Sequence, residues 1–310
     1  MNPLKDIVIV GGGNAGLIIA LYLKTYFPHF NIKIIKPSSI KTIGVGEGST
    51  EHFKNFLYDN NISFKEIINS TEATVKYGTL FKDWNYKSHK YIHNTSLNAQ
   101  HTIFSTLEYY NSIVNNNPTD NFCLSPHFKS IFLKNKIVLN DNLETSNQYH
   151  FDSVKLNTFL TKKCVERGIY VIDTIIKDVF LNKKGNINYL KTNNNNLIKG
   201  DFFIDCSGFR KVLSSKLGVK WKSYQDYLPM NRAIVAPTSL NLKKDIEPYT
   251  TTTSLSSGWV WKAPTQTRYG NGYVFNDNYL NTDNALNEFN QHLETNLEKV
   301  TKDIKFEAGK

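Results

Sequence analysis

Asp6-Ile-Val-Ile-Val-Gly-Gly-Gly-Asn-Ala-Gly-Leu-Ile-Ile-Ala20 is an apolar run that passes through a cluster of glycines into a second apolar run. Ile7, Val8, Ile9 and Val10 are β-branched, which suits a strand buried on both faces of a parallel sheet. Gly11, Gly13 and Gly16 follow at the GxGxxG positions and open a helix. In such a turn the first glycine permits a tight reversal and the second lets backbone approach a pyrophosphate. The third lets the helix lie close on the strand. Free N–H groups and the positive end of the helix dipole then favour an anion at the helix start. The helix should run to about Phe27, where Pro28 stops it, and a second β-branched strand over 32–35 completes a βαβ unit. An acid that accepts from a ribose hydroxyl is usual about 20 residues past the glycines. Lys36 ends the second strand instead; it is read as facing solvent, with a phosphate contact as the alternative.

The chain of 310 residues, with 40% hydrophobic and 13% aromatic content, can bury a substantial core and should form one large or two interleaved domains. A formal net charge of +10 raises the question of nucleic acid, but the lysines are scattered and no block of like charges stands out. No nucleic-acid partner is therefore expected. Cys123, Cys164 and Cys206 lie far apart without metal-ligand spacing, which fits a reduced, cytoplasmic protein with no metal site better than a disulfide framework. No signal-peptide segment and no run of about 18 to 20 apolar residues is present, so no membrane partner is expected. The asparagine runs at 115–117 and 193–196 are polar loop material.

A second glycine-rich turn, Ile43-Gly-Val-Gly-Glu-Gly-Ser-Thr50, should open a helix near Thr50 that continues, as helical chain, to about Asn69. Gly44, Gly46 and Gly48 would let backbone pass close to a flat or anionic ligand; a capped surface loop is the alternative. Residues 73–84 read as one strand with Val75, Tyr77 and Thr79 on one face and Lys76 on the other. Residues 85–146 read as an insertion with short apolar pieces at 103–113 and 131–132. Tyr149-His-Phe-Asp152 should start a helix that Asp152 or Ser153 can cap and that runs to Arg167, with Gly168 ending it. A strand over 169–172 and a β-meander over 175–181, 187–192 and 197–204 follow. Asp201-Phe-Phe-Ile-Asp-Cys-Ser-Gly-Phe-Arg210 closes the meander with a buried strand and a small-residue turn, and a helix is expected from about Lys211. Farther on, strands are expected over 231–237 and 250–254, then Gly258-Trp-Val-Trp-Lys-Ala-Pro264 with a hairpin partner over 268–275. Trp259 and Trp261 project from one face of their strand as an aromatic wall. A polar helix over 282–300 closes the pattern.

Taken together, these motifs resemble the flavin-dependent tryptophan halogenase family. The resemblance rests on Gly11 to Gly16, on Ile43-Gly-Val-Gly-Glu47 with Ser49-Thr50, and on Lys76 with Phe81 and Trp84. It rests further on Tyr149 to Asp152, Asp201-Phe-Phe-Ile-Asp-Cys-Ser-Gly208, Asn231-Arg-Ala233, and Trp259-Val-Trp261 with Pro264. The family writes the last motif WxWxIP, and Ala263 stands here in place of the isoleucine. The implied fold is α/β: a Rossmann-like FAD/NAD(P)-binding parallel sheet with a β-meander, interleaved with a mixed α+β substrate domain. Residues 1–75 and 148–215 would form the FAD-binding domain, and 76–147 and 216–310 the substrate domain.

The resemblance implies that reduced FAD, supplied by a flavin reductase, reacts with oxygen and a halide to give hypohalous acid. That acid would reach Lys76, which directs it to an aromatic, indole-like substrate. A lysine ammonium, of reference pKa about 10.4, can donate hydrogen bonds to hypohalous acid, whereas a desolvated lysine could form a haloamine. Trp259 and Trp261 would line the space between flavin and lysine and keep ordinary monooxygenation from competing. FAD contacts would fall to Gly11, Gly13, Asn14, Ala15 and Gly16, to Pro37, Ile40, Ile43, Val45 and Gly48, and to Val179. Family members continue past the segment matching 306–309 into a part that binds halide and supplies a glutamate facing the lysine. On this reading that part is absent here, and another polypeptide could supply it. An FAD-dependent monooxygenase of related fold and an inactive, truncated FAD-binding relative remain as alternatives.

Overall fold

The computed structural model describes residues 4–45, 47–94, 148–240 and 246–310. Gly46, Cys123 and the apolar pieces at 103–113 and 131–132 lie outside the described residues. The chain divides into two compact units: Met1–Ile43, Asn55–Thr71 and Ser153–Trp221 form one, and Gly44–Lys54, Glu72–Asp152 and Lys222–Lys310 the other. The fold is α/β, with parallel strands in the first unit and mixed sheets in the second.

In the first unit, Asp6–Val10 is flanked by Phe202–Asp205 and Asn31–Ile35, and Tyr170–Ile172 completes a four-stranded parallel sheet among the described residues. Ile7 to Val10 are all buried, as a central parallel strand requires. Helices Asn14–Tyr26 and Ser153–Glu166 belong to this unit and pack against each other. The meander Ile176–Leu181, Ile187–Thr192 and Leu197–Ile198 is antiparallel, and Ile176, Val179, Leu190 and Ile198 form a core with Val8, Val10 and Ile35. Asparagines build its turns: Asn182 Oδ1 accepts from the N–H groups of Lys184 (2.9 Å) and Asn186 (3.1 Å), and Asn195 takes a left-handed φ of 62°.

The meander strand expected over 197–204 ends at Ile198, and the buried strand expected from Asp201 is separate from it, at Phe202–Asp205. The chain breaks at Gly200, where a Cβ would come within 2.7 Å of Val8 Cγ2, and the Asp201 carboxylate accepts from the N–H groups of Lys5 and Asp6. Phe202–Asp205 thereby leaves the meander and joins the parallel sheet. The helix expected from Lys211 is a short 3-10 turn, Gly208–Arg210, followed by turns; the Asp205 carboxylate accepts from the N–H groups of Ser207, Leu213 and Ser214 and holds that segment. The helical stretch after Thr50 is likewise two helices, His52–Asp59 and Phe64–Thr71, separated by Asn61 at φ 49°. Ser63 and Glu66 form a reciprocal capping box at the start of the second.

The second unit contains a small antiparallel sheet of Glu47–Gly48, Gln148–Phe151 and Thr74–Lys76. Of the Tyr149–Asp152 motif expected to start a helix, residues 149–151 lie with Gln148 in a fully buried strand, and the helix itself starts at Ser153, at the expected cap. Residues 73–84 are also not one strand. The ladder breaks at Tyr77, whose N–H donates to the Pro248 carbonyl at 2.8 Å, and Gly78–Lys82 enters a second sheet.

That larger sheet runs Lys302–Lys305, Arg232–Val235, Arg268–Phe275, Gly258–Pro264, Thr250–Leu255, Gly78–Lys82, Lys90–Asn94, with Thr238–Ser239 also on Arg268–Phe275. Helix Thr282–Leu293 covers one face, placing Ala285 and Phe289 against Ile234, Val260, Tyr273 and Phe275. Its N-cap Asn281 accepts from the Asn284 N–H at 2.9 Å. The helix stops well short of residue 300 because Glu294 turns left-handed at φ 52°, and the chain returns as strand Lys302–Lys305.

Candidate functional site

The candidate residues fall into two sets, one on each unit. In the first, Gly11 ends the central strand at φ 116°, and a Cβ there would lie 2.1 Å from the Cys206 carbonyl oxygen. Gly16 is as tightly placed, since a Cβ would lie 2.0 Å from the Gly11 carbonyl oxygen. Gly13 differs from both. It is the helix N-cap with no side-chain cap, and a Cβ there would meet nothing within 4 Å. The turn therefore presents uncapped N–H groups and the positive helix end toward open space. Ala15 is exposed in the first turn.

Asn14 is engaged in bracing this turn. Its Nδ2 donates to the Ser153 carbonyl at 3.2 Å, and its Oδ1 accepts from Asn157 Nδ2 at 3.1 Å. Asn157 also donates to the Gly12 carbonyl at 2.9 Å. Sequence reading missed Asn157; a polar residue on the buried side of an otherwise apolar helix face was the available signal. Lys36 does not simply face solvent. Its stem lies across Gly12, where a Cβ would come within 2.1 Å of Lys36 Cγ, so the middle glycine makes room for the lysine. Pro37 begins a turn closed by the Ile40 N–H at 3.2 Å, and Ile40 and Ile43 are exposed. Val179 is buried in the core beneath the sheet, so its side chain serves packing.

The second set centres on Lys76, the last residue of Thr74–Lys76 and half-buried. Its aliphatic end and ammonium run along Gly48, where a Cβ would lie 3.2 Å from both Cδ and Nζ. Burial pushes the Lys76 pKa down, and the Glu51 carboxylate opposes that shift. On the neighbouring strand His150 is fully buried between Thr74 and Thr250. The single Thr74 hydroxyl proton goes to the Pro264 carbonyl at 2.8 Å, so Thr74 Oγ1 accepts from His150 Nδ1–H at 3.2 Å. His150 Nε2 is then left to accept from the Thr250 hydroxyl at 2.8 Å. Burial, and after it the Lys76 charge, hold the His150 pKa down at about 3, so the imidazole is neutral beside the lysine. The same link ties the Lys76 strand to Pro264, the end of the tryptophan strand.

Trp259 and Trp261 stand on one face of Gly258–Pro264, opposite Val260, which packs under helix Thr282–Leu293. Their ring centroids are 6.1 Å apart, and Trp84 lies 6.1 Å beyond Trp259. Trp261 is paired with Gly272 and lies flat over it; a Cβ on Gly272 would come within 1.9 Å of the indole. The absence of a side chain on the partner strand thus decides the indole's position. Trp261 Nε1 donates to the Val45 carbonyl at 3.3 Å, and Lys302 Nζ donates to the Gly44 carbonyl at 2.6 Å. Both contacts anchor the second glycine-rich turn.

The family model described as tryptophan halogenase matches residues 6–310. The chain is 33% identical over 316 residues to the 7-chloro-L-tryptophan 6-halogenase of Kutzneria sp. (strain 744), covering 91% of this chain and 60% of that protein. It is 30% identical over 326 residues to the tryptophan 6-halogenase of Streptomyces toxytricini, covering 93% and 61%. The crystal structure of that Streptomyces enzyme superposes with a TM-score of 0.83 at 27% identity, over 100% of this chain and 65% of that one. The tryptophan halogenase of Shewanella frigidimarina NCIMB 400 gives a TM-score of 0.86 at 25% identity, over 99% and 63%. The chain therefore spans about 60% of the length of the curated relatives it matches.

Proposed function

Because the chain belongs to the tryptophan halogenase family, we propose that it acts in flavin-dependent halogenation, with Lys76 presenting hypohalous acid to an aromatic, indole-like substrate. The observation that carries this reading is the seating of Lys76: half-buried, flush against Gly48, and on a strand tied through Thr74 to the end of the Trp259/Trp261 strand. A solvated surface lysine would need none of these contacts.

The first glycine turn fits a dinucleotide such as FAD, because the space at Gly13 is open and the helix N-terminus is uncapped. On this reading Gly11, Gly13, Ala15 and Gly16 receive the pyrophosphate through backbone, while Asn14 is held by Asn157. Pro37, Ile40, Ile43, Val45 and Gly48 would flank the cofactor, and Val179 would contribute main chain only. When bound and reduced by a flavin reductase, FAD supplies with oxygen and halide the hypohalous acid. The Lys76 ammonium donates a hydrogen bond to the oxygen of that acid and makes its halogen more electrophilic. An aromatic carbon takes the halogen and loses its hydrogen as a proton, and the oxygen leaves as water. Trp259 and Trp261 form an apolar wall that limits water near the reacting atoms. The free thiols Cys164 and Cys206 fit a reducing, cytoplasmic setting.

The test is mass spectrometry of an indole and phenol panel incubated with the protein, FAD, a flavin reductase, NADH and bromide. The assay is run alone and with a polypeptide matching the remaining length of the relatives. Brominated product that falls at least about 100-fold in Lys76→Ala is expected, as for loss of a positioned proton donor. Undiminished bromination in that variant would overturn the role of Lys76. Hydroxylated product without bromine would select an FAD-dependent monooxygenase instead.

A further inference from the structure

Glu51 belongs to no motif singled out above, yet the fold brings it to Lys76. In the antiparallel pairing of Thr74–Lys76 with Gln148–Phe151, Lys76 stands directly opposite Gln148, so the two side chains share a face. Gln148 Nε2 donates to Glu51 Oε2 at 3.3 Å. Glu51 also follows Gly48, the residue against which the Lys76 ammonium lies, by only three positions. Lysine, cross-strand glutamine and carboxylate thus form one group on one side of the small sheet.

We infer that Glu51, aimed by Gln148, is the positioning residue that keeps Lys76 in its ammonium form. The physical need is plain: burial favours the neutral amine, and a nearby carboxylate favours the charged one. An ammonium can donate to hypohalous acid, whereas a neutral amine would be halogenated on nitrogen. That consequence rests on the reading of Lys76 given above; the charge relation itself does not.

Among the described residues, Glu51 is the carboxylate whose charge acts on the Lys76 ammonium. His52, next to it and exposed, has Nε2 3.8 Å from Glu51 Oε1. Glu47, on the strand with Gly48, turns its Oε1 to the Val45 N–H at 2.9 Å. His150, on the strand with Gln148, is neutral above about pH 3 and adds no charge.

The experiment reads Lys76 directly, without turnover: the pH dependence of its acetylation by acetic anhydride, followed by peptide mass spectrometry on the full chain. Glu51→Gln should lower the midpoint by about one pH unit, which is about tenfold more free amine at fixed pH. Glu51→Asp should restore part of the shift, Gln148→Ala should move the midpoint the same way by less, and His52→Ala should leave it in place. An unchanged midpoint in Glu51→Gln with wild-type circular dichroism and melting overturns the inference. If Glu51→Gln does not fold, an unchanged midpoint in Gln148→Ala overturns it. A failed shift alongside lost bromination in Lys76→Ala would refute the role of Glu51 alone, whereas a shift alongside undiminished bromination would refute only the role of Lys76 in halogenation.

Discussion

Lys76 and His150 are neighbours whose charge states are pushed the same way by burial, with opposite meaning for each. The Lys76 ammonium is held in a half-buried place at a cost, since its folded pKa lies below the ordinary lysine value. That cost is present in full at pH values below the folded pKa. It fades as pH rises through that value toward the unfolded one. Lys76→Met should therefore abolish product while melting at or above the wild-type temperature near neutral pH, and the stability difference should shrink as pH is raised; melting curves across the alkaline range check this. His150 is neutral in the fold and has a pKa of about 3 there. Between about pH 6.5 and pH 3 the unfolded chain binds the proton and the folded one does not, so stability falls as pH falls, by up to about 1.4 kcal/mol per unit for this group. His150→Gln should lose about 1 to 3 kcal/mol at neutral pH by breaking the Thr74 and Thr250 contacts. It should also show a shallower acid limb in urea unfolding than the wild type.

At the scale of elements, glycines decide which surfaces can touch. Gly11 and Gly13 belong to one turn and should respond differently to a methyl group. Gly11→Ala places Cβ against the Cys206 carbonyl at a positive φ, so destabilisation of about 1 to 3 kcal/mol is expected. Gly13→Ala meets open space at φ −68°, so the unliganded protein should melt as wild type while FAD affinity falls about tenfold or more by isothermal titration. On the tryptophan strand, Gly272→Ala would drive a methyl group into the Trp261 ring. A red-shifted tryptophan emission and a loss of about 1 to 3 kcal/mol are expected, because the indole must leave its seat.

Each of the two units has its own core, one under the parallel sheet and one between the large sheet and helix Thr282–Leu293. FAD bound at the first glycine turn, as proposed, would stabilise the protein by mass action, about 2.7 kcal/mol at a hundredfold excess over Kd. Hydrogen exchange should then slow at residues 10–17 and 205–214, where the turn, Cys206 and the Asp205-held segment meet. Unchanged exchange there with flavin bound would place the cofactor elsewhere.

The sequence by itself determined the βαβ start, the spacing of Gly11, Gly13 and Gly16, the meander turns and the indole pair on one strand face. All of these are local: β-branched runs, turn chemistry and a period of two are legible within a few residues. The tertiary structure alone decided that residues 73–84 split between two sheets, that residues 148–151 are a strand, and that Phe202–Asp205 leaves the meander for the central sheet. It also decided that Lys36 lies over Gly12, that Trp261 lies over Gly272, and that Glu51 and Gln148 gather about Lys76. These depend on pairing partners that are distant in the chain or on how side chains pack across strands. Gln148 is 97 residues from Glu51, and no local pattern encodes which strand will lie beside which until both have packed.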